Sequence, residues 1–215
     1  LLNCLDSLKG NHITKSELAK KAIYIEQKVL KETVGAQDQI AAAFGGFNIL
    51  NLRKGNEFSI EKVNISTQRI KNLNDHLMLF FTGFSRISSK IAKSQVMNMD
   101  SKINELKMIS EFAERSLEIL YSGADIDLFG ELLHESWLIK SKLSVQVTNN
   151  TIDQIYNRGL KSGALGGKLL GAGGGGFMLL FVRPEDQKNV KLELSDLLHI
   201  PFKFESQGSQ VIYSE

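Results

Sequence analysis

Residues 163–176, GALGGKLLGAGGGG, place eight glycines in fourteen positions, and the apolar run FMLLFV follows at once. Glycine loses more backbone entropy on folding than any other residue. Concentrating it beside a core strand therefore implies a local need, either for φ angles closed to other residues or for bare backbone close to a neighbour. Three readings stay open: a tight structural turn, close packing between domains, and a nest of amides that holds an anion. A flexible spacer is disfavoured, because FMLLFV resumes core chemistry immediately. Two familiar nucleotide patterns fail here. Gly171, Gly173 and Gly176 form a formal G-x-G-x-x-G, with Glu193 and Asp196 about twenty residues on. That fingerprint needs a strand before the glycines and a helix after them, and the pattern predicts a helix before and a strand after. A Walker A loop fails as well, since Leu169 stands where Ser or Thr should follow Lys168 and position 162 is Ser.

Composition narrows the field further. The 215 residues suffice for one large domain or two small ones, and 42% hydrophobic content is ordinary for a globular protein. With 26 basic and 24 acidic residues the net charge is only +2, which gives no reason to expect nucleic acid as partner. The single Cys4 excludes a disulfide framework and a cysteine-based zinc knuckle, and the four histidines show no ligand spacing. These features fit a reducing, cytoplasmic setting. The longest apolar runs have five or six residues, far below the ~20 that span a bilayer, so no membrane helix is expected.

Along the chain, LLNCLDSL reads as a helix already under way, with Leu1, Leu2, Leu5 and Leu8 on one face, and the expectation is a piece of a longer protein. Thr14 caps the next helix with Glu17 completing a capping box; it runs to about Leu30 and is expected to bury Leu18, Ala22, Ile25 and Val29. A helix over 37–43 stops at Gly45-Gly46, and 47–52 and 57–65 form a hairpin around KGN. The polar segment 72–75 marks a domain boundary near residue 73, before a strand in HLMLFFTG. Helices follow at 86–98, 101–121, 125–139 (capped by Asp125 or Asp127) and 148–162. Then come the glycine segment, a strand at 176–182, a short helix opened by Pro184, and strands near 201–206 and 210–213. The order predicts an α+β sandwich with helices on one sheet face.

Polar candidates are few. Asp38 opens a helix within QDQ, ahead of a small-residue run. It is either a charge complementing the helix dipole or a carboxylate aimed into a cleft. Glu26 is either solvent-facing or a second carboxylate, useful if Mg²⁺ and phosphate are present. Thr82 and Gly83 end a strand, and Ser85, Arg86 and Ser88 follow. Arg86 suits either a phosphate or a surface ion pair. Lys168 either reaches an anion or snorkels, and His134 and Trp137 share one helical face as core or rim.

Taken together, VGAQDQIAAAFGGFN (34–48), FFTGFSRISSKI (80–91), DLFGELLHESWLIKSKLS (127–144) and the glycine block resemble the GHMP small-molecule kinases. Within them the likeness is to sugar-1-kinases acting on heptose 7-phosphate, with fucose kinase domains nearby. The resemblance implies a two-domain α+β fold, with 1–73 the remainder of the N-terminal domain and 74–215 a ferredoxin-like C-terminal domain. It implies ATP and Mg²⁺ as cofactors, and phosphoryl transfer to the anomeric hydroxyl of a phosphorylated heptose. Asp38 becomes the catalytic carboxylate and Glu26 the magnesium ligand. Gly171, Ala172, Gly173, Gly174 and Gly175 form the third conserved loop, beside phosphate. Gly35, Gln37, Thr82, Gly83, Arg86 and Lys168 would line the substrate. The family's phosphate loop would precede residue 1, so the expectation is a fragment inactive alone, prone to self-associate through its broken N-terminal domain. A fucose- or galactose-type kinase and a non-catalytic binding module remain the alternatives.

Overall fold

The computed structural model describes residues 1–84 and 88–212. The chain divides into two compact units, one of Leu1–Asn64 with the tail from Lys203 onward, the other of Ile65–Phe202.

In the first unit, α1 (Leu2–Leu8) precedes α2 (Lys15–Tyr24), whose Thr14–Glu17 capping box forms as the sequence predicts. The leucine face expected on α1 is not the buried one. Leu1, Leu5 and Leu8 are exposed, and the helix buries Asp6, which pairs with Lys21 at 2.6 Å. The helix predicted to reach Leu30 passes into one π turn at Ile25–Val29. Its buried face is Leu18, Ala19 and Ile23 in place of the expected Leu18, Ala22, Ile25 and Val29, so the packed stripe is rotated by one residue and Val29 is exposed. α3 (Gln37–Phe44) adds Ile40 and Ala43 to that core and ends at Gly45. β1 (Asn48–Leu52) and β2 (Phe58–Lys62) form the expected hairpin around KGN.

The tail belongs to this unit. The strands expected near 201–206 and 210–213 are absent among the described residues of that tail, and Tyr213 lies outside them. Instead Gly46 N–H donates to Glu205 O at 2.8 Å and Phe204 stacks on Phe47 at 5.7 Å. Glycine is needed where the two backbones meet: a Cβ on Gly45 would lie 2.1 Å from the Gly208 nitrogen.

The second unit starts with an unforeseen helix, α4 (Thr67–Asp75), capped by Ser66 and anchored by buried Leu73. The polar segment 72–75 is its last turn, so the boundary expected near residue 73 falls inside the helix. Then come β3 (Leu77–Phe81), α5 (Ser88–Asn98), α6 (Ile103–Ser122), α7 (Asp127–Lys140) and α8 (Asn150–Lys161). The Asp125 carboxylate accepts from the Asp127 N–H at 3.1 Å, while Asp127 itself pairs with Arg183 at 2.6 Å.

The glycine segment departs most from expectation. Ala164–Leu169 is a strand, β4, paired antiparallel with β5 (Phe177–Val182), so the glycines turn a hairpin and do not link a helix to a strand. The dinucleotide fingerprint still fails, now because a strand follows the glycines. β4 was hidden by the very residues that let it pack. A Cβ on Gly166 would lie 2.1 Å from the Gly130 carbonyl of α7, and one on Gly167 would lie 2.4 Å from Leu179 O. α9 (Gln187–Glu193) and β6 (Leu198–Ile200) complete the unit. The strand order β4-β5-β3-β6, all antiparallel, with helices between β3 and β4 and between β5 and β6, is the β-α-β-β-α-β ferredoxin-like arrangement. Met78, Phe80, Met178 and Leu180 point from the sheet into a core with Trp137, Ile152, Ile155 and Val190. Among the described residues no helix is long and apolar enough to cross a membrane.

Candidate active site

The first unit presents two carboxylates. Asp38 sits in the first turn of α3, exposed, with no hydrogen bond or ion pair to a described residue. Ala36 and Ile40 on either side are buried, so the core fixes the helix while the carboxylate stays outside. Glu26 lies in the π turn, half-buried, and is braced from the same helix: Gln39 Nε2 donates to Glu26 Oε2 at 2.6 Å. The structure therefore ties Glu26 to the residue directly after Asp38, a link that the separation of 26 from 38 did not announce. Gln39 Oε1 is buried and has no hydrogen-bond partner among the described residues. Gly35 and Gln37 flank this turn and are both exposed.

The second unit presents the glycine hairpin. Gly171, Gly173, Gly174, Gly175 and Gly176 all have positive φ, which excludes most side chains. Two of them also abut other backbone. A Cβ on Gly173 would meet Val147 O at 2.7 Å, and one on Gly175 would meet Phe84 O at 2.9 Å. Around the loop, carbonyls and amides are treated differently. The carbonyl of Gly171 accepts from Lys140 Nζ at 2.7 Å, that of Ala172 from Gln95 Nε2 at 2.7 Å, and that of Gly174 from Asn149 Nδ2 at 3.4 Å. The Gly176 carbonyl accepts from the Thr82 amide at 2.8 Å. Among the amides, Gly174 donates to Val147 O and Gly176 to Phe84 O, both at 2.9 Å. Those of Gly171, Ala172, Gly173 and Gly175 donate to no described residue. Among the described residues the loop thus has more unpaired amides than unpaired carbonyls, the balance a backbone anion nest requires.

Thr82 is buried and acts as the loop's pin. Its Oγ1 lies 3.0 Å from Gly176 O and accepts from Gly176 N–H at 3.0 Å. The hydroxyl expected at the substrate is thus spent on backbone. Gly83 is exposed at φ +85, with nothing within 4 Å of where a Cβ would stand. Ser85 and Arg86 lie outside the described residues.

Lys168 stands on β4 opposite Leu179, half-buried, and makes no ion pair with a described residue. Burial holds its ammonium below the usual lysine range. His134 and Trp137 belong to the core side. Burial pushes the Tyr156 phenol up, and its hydroxyl is hydrogen-bonded with His134 Nδ1 at 2.7 Å. Glu193 and Asp196, the acids of the failed fingerprint, pair with Arg158 at 3.0 and 2.6 Å. Gln39, Gln95, Lys140 and Asn149 escaped sequence reasoning. Only Asn149 carried a local signal, as the N-cap of α8.

With this geometry in place, comparison with known proteins is informative. Residues 108–200 match the model of the GHMP kinases C-terminal domain. The chain is 32% identical over 176 residues to D-glycero-alpha-D-manno-heptose 7-phosphate kinase of Campylobacter jejuni, covering 81% of this chain and 52% of that protein. It is 25% identical over 190 residues to a bifunctional fucokinase/GDP-fucose pyrophosphorylase of Arabidopsis thaliana, covering 85% of this chain and 18% of that protein. In fold it resembles the crystal structure of a D-glycero-D-manno-heptose 1-phosphate kinase from Bacteroides thetaiotaomicron, with TM-score 0.75 at 24% identity over 99% of this chain and 60% of that one. The chain belongs to the GHMP kinase family. It spans about half the length of the heptose kinase it matches.

Proposed function

We propose that this chain is part of an ATP- and Mg²⁺-dependent sugar kinase that phosphorylates the anomeric hydroxyl of heptose 7-phosphate. The observation that carries the phosphoryl chemistry is the uneven bonding of the glycine loop: the carbonyls of Gly171, Ala172, Gly174 and Gly176 are bonded, while the amides of Gly171, Ala172, Gly173 and Gly175 have no acceptor among the described residues. The sugar is suggested by the heptose 7-phosphate kinase named above.

In this reading Asp38 accepts a hydrogen bond from the attacking hydroxyl, orients it and takes its proton. Its exposure and the lack of a partner among the described residues leave both oxygens available. Gly35 and Gln37 flank the hydroxyl, and Lys168 and Arg86 offset charge on the substrate phosphates. The loop amides stabilise charge developing on the transferred group without reorganising. Magnesium prefers hard oxygens, keeps several waters and needs only one or two carboxylates. Glu26 with the partnerless Gln39 Oε1 fits that donor set. When bound, Mg²⁺ would neutralise phosphoryl oxygens.

The test is a substrate panel on the whole protein that contains this chain. Heptose 7-phosphate is expected to outcompete fucose, galactose and other unphosphorylated sugars in kcat/KM. The reverse ranking would replace this reading with a fucose-type kinase, for which the Arabidopsis relative speaks, and absence of turnover on every sugar would favour a binding module.

A further inference from the structure

We propose that Lys140 is the positioning residue that makes the glycine loop an anion site; this rests on the loop reading given under Proposed function. Lys140 is the last residue of α7 and half-buried. Its ammonium lies 2.7 Å from the Gly171 carbonyl and 3.3 Å from that of Leu169. These two carbonyls bracket the entry to the turn, where the chain leaves β4 and φ first becomes positive. A peptide plane has one carbonyl and one amide pointing in opposite directions, so fixing the carbonyl of Gly171 fixes the amide of Ala172. Holding that carbonyl towards α7 turns the Ala172 N–H away from α7.

Other bonds fix the rest of the loop. Gln95 holds the Ala172 carbonyl and hence the plane of the Gly173 amide, and Asn149 does the same one plane beyond Gly173–Gly174. Glycine carries no side chain to restrict these planes. With a run of them, rotation is limited only by such external bonds. Lys140 differs from Gln95 and Asn149 in two respects. Its hydrogen bonds are charge-assisted and therefore about twice as strong. Its charge also adds a favourable field for an anion it does not itself touch. Glutamine or methionine could fill its place at the end of α7 but would supply only one of these effects or neither.

The role separates from simple helix capping by what a substitution should leave unchanged. In Lys140→Met the α7 core residues Leu132 and Trp137 remain buried, so the melting transition should hold while the loop loses its orientation. The experiment follows backbone amide shifts of Gly171, Ala172, Gly173 and Gly175 in the 215-residue chain during titration with inorganic pyrophosphate. The wild-type loop amides are expected to shift saturably. Lys140→Met should weaken pyrophosphate on the order of tenfold to a hundredfold, the equivalent of losing one or two hydrogen bonds to a charged group, with far-ultraviolet circular dichroism unchanged. Lys140→Arg should restore most of the affinity. If wild type and Lys140→Met bind alike, the positioning role is overturned while the loop reading stands. If pyrophosphate shifts none of these amides in wild type, the loop reading fails and the role of Lys140 with it. Should Lys140→Met unfold, Lys140→Gln and the Arg variant decide: a Gln variant that folds and binds as tightly as wild type overturns the proposal.

Discussion

The carboxylate turn and the glycine loop hold their chemistry in opposite ways. At the turn, the group proposed to react is a side chain, Asp38, which projects from a short helix with a buried apolar face and touches nothing described. At the loop, the groups proposed to act are backbone amides, and every neighbouring carbonyl from Gly171 to Gly176 except those of Gly173 and Gly175 is tied to another element. A side-chain site can tolerate a loosely held neighbourhood because the helix itself sets the direction of Cβ. A backbone site has no such handle, so α5, α7, the segment around Val147 and the end of β3 are all recruited to orient it. The first site should thus be sensitive in chemistry and insensitive in stability, and the second should be sensitive in both.

The largest effect expected is on the first side of that contrast. Asp38→Asn in the whole protein should lower kcat by about 10²–10⁴-fold, the range for removing a general base, without moving the melting transition. Turnover near wild type would end the catalytic assignment, and a large loss of stability would end the contrast.

The next tests the loop from within. Gly173→Ala forces a Cβ to within 2.7 Å of Val147 O at φ +117, and should cost about 2–4 kcal/mol from strain and displaced backbone. Gly171→Ala has open space at φ +71 and should cost only about 1 kcal/mol. Urea denaturation of the two variants compares them directly; equal costs would mean that the Val147 contact does not constrain the loop.

The smallest effect is one of sign. Lys168 is half-buried without an ion-pair partner among the described residues, and its ammonium is held below the usual range by burial. The charged form is therefore disfavoured in the folded chain. Lys168→Met should raise stability near neutral pH by about 1 kcal/mol or less, while weakening pyrophosphate. As pH rises towards the ordinary lysine value of 10.5, the folded wild type gives up this proton before the unfolded chain does. Its stability rises relative to the variant, and the advantage of Met shrinks. Denaturation midpoints at pH 7 and pH 10 check this, and an advantage that grows with pH would contradict it.

Local signals carried far in some segments. The Thr14–Glu17 box, the end of α3 at Gly45 and the KGN hairpin follow from bonds and turns made within a few residues. α4 was missed because one buried leucine, Leu73, anchors a helix that otherwise looks like a polar linker. β4 was missed because glycine disfavours strands on average, and nothing local reveals that α7 needs Gly166 bare. In the candidate site, Asp38 and Glu26 are proposed on a family resemblance, whereas nothing in the sequence pointed to the Gln39 brace between their segments.

The sequence by itself determined the elements whose stabilising contacts are short in chain distance: capped helices, the small hairpin, the apolar strands and the presence of a glycine turn that no common nucleotide motif explains. Tertiary structure alone decided which side of that turn faces outward, that its first half is a strand, and that a tail from beyond residue 202 packs beside Gly45. The physical reason is that glycine encodes permission and not direction. Its backbone is oriented by partners more than twenty residues away, Lys140 and Gln95 among them, and such partners leave no pattern in the segment they hold.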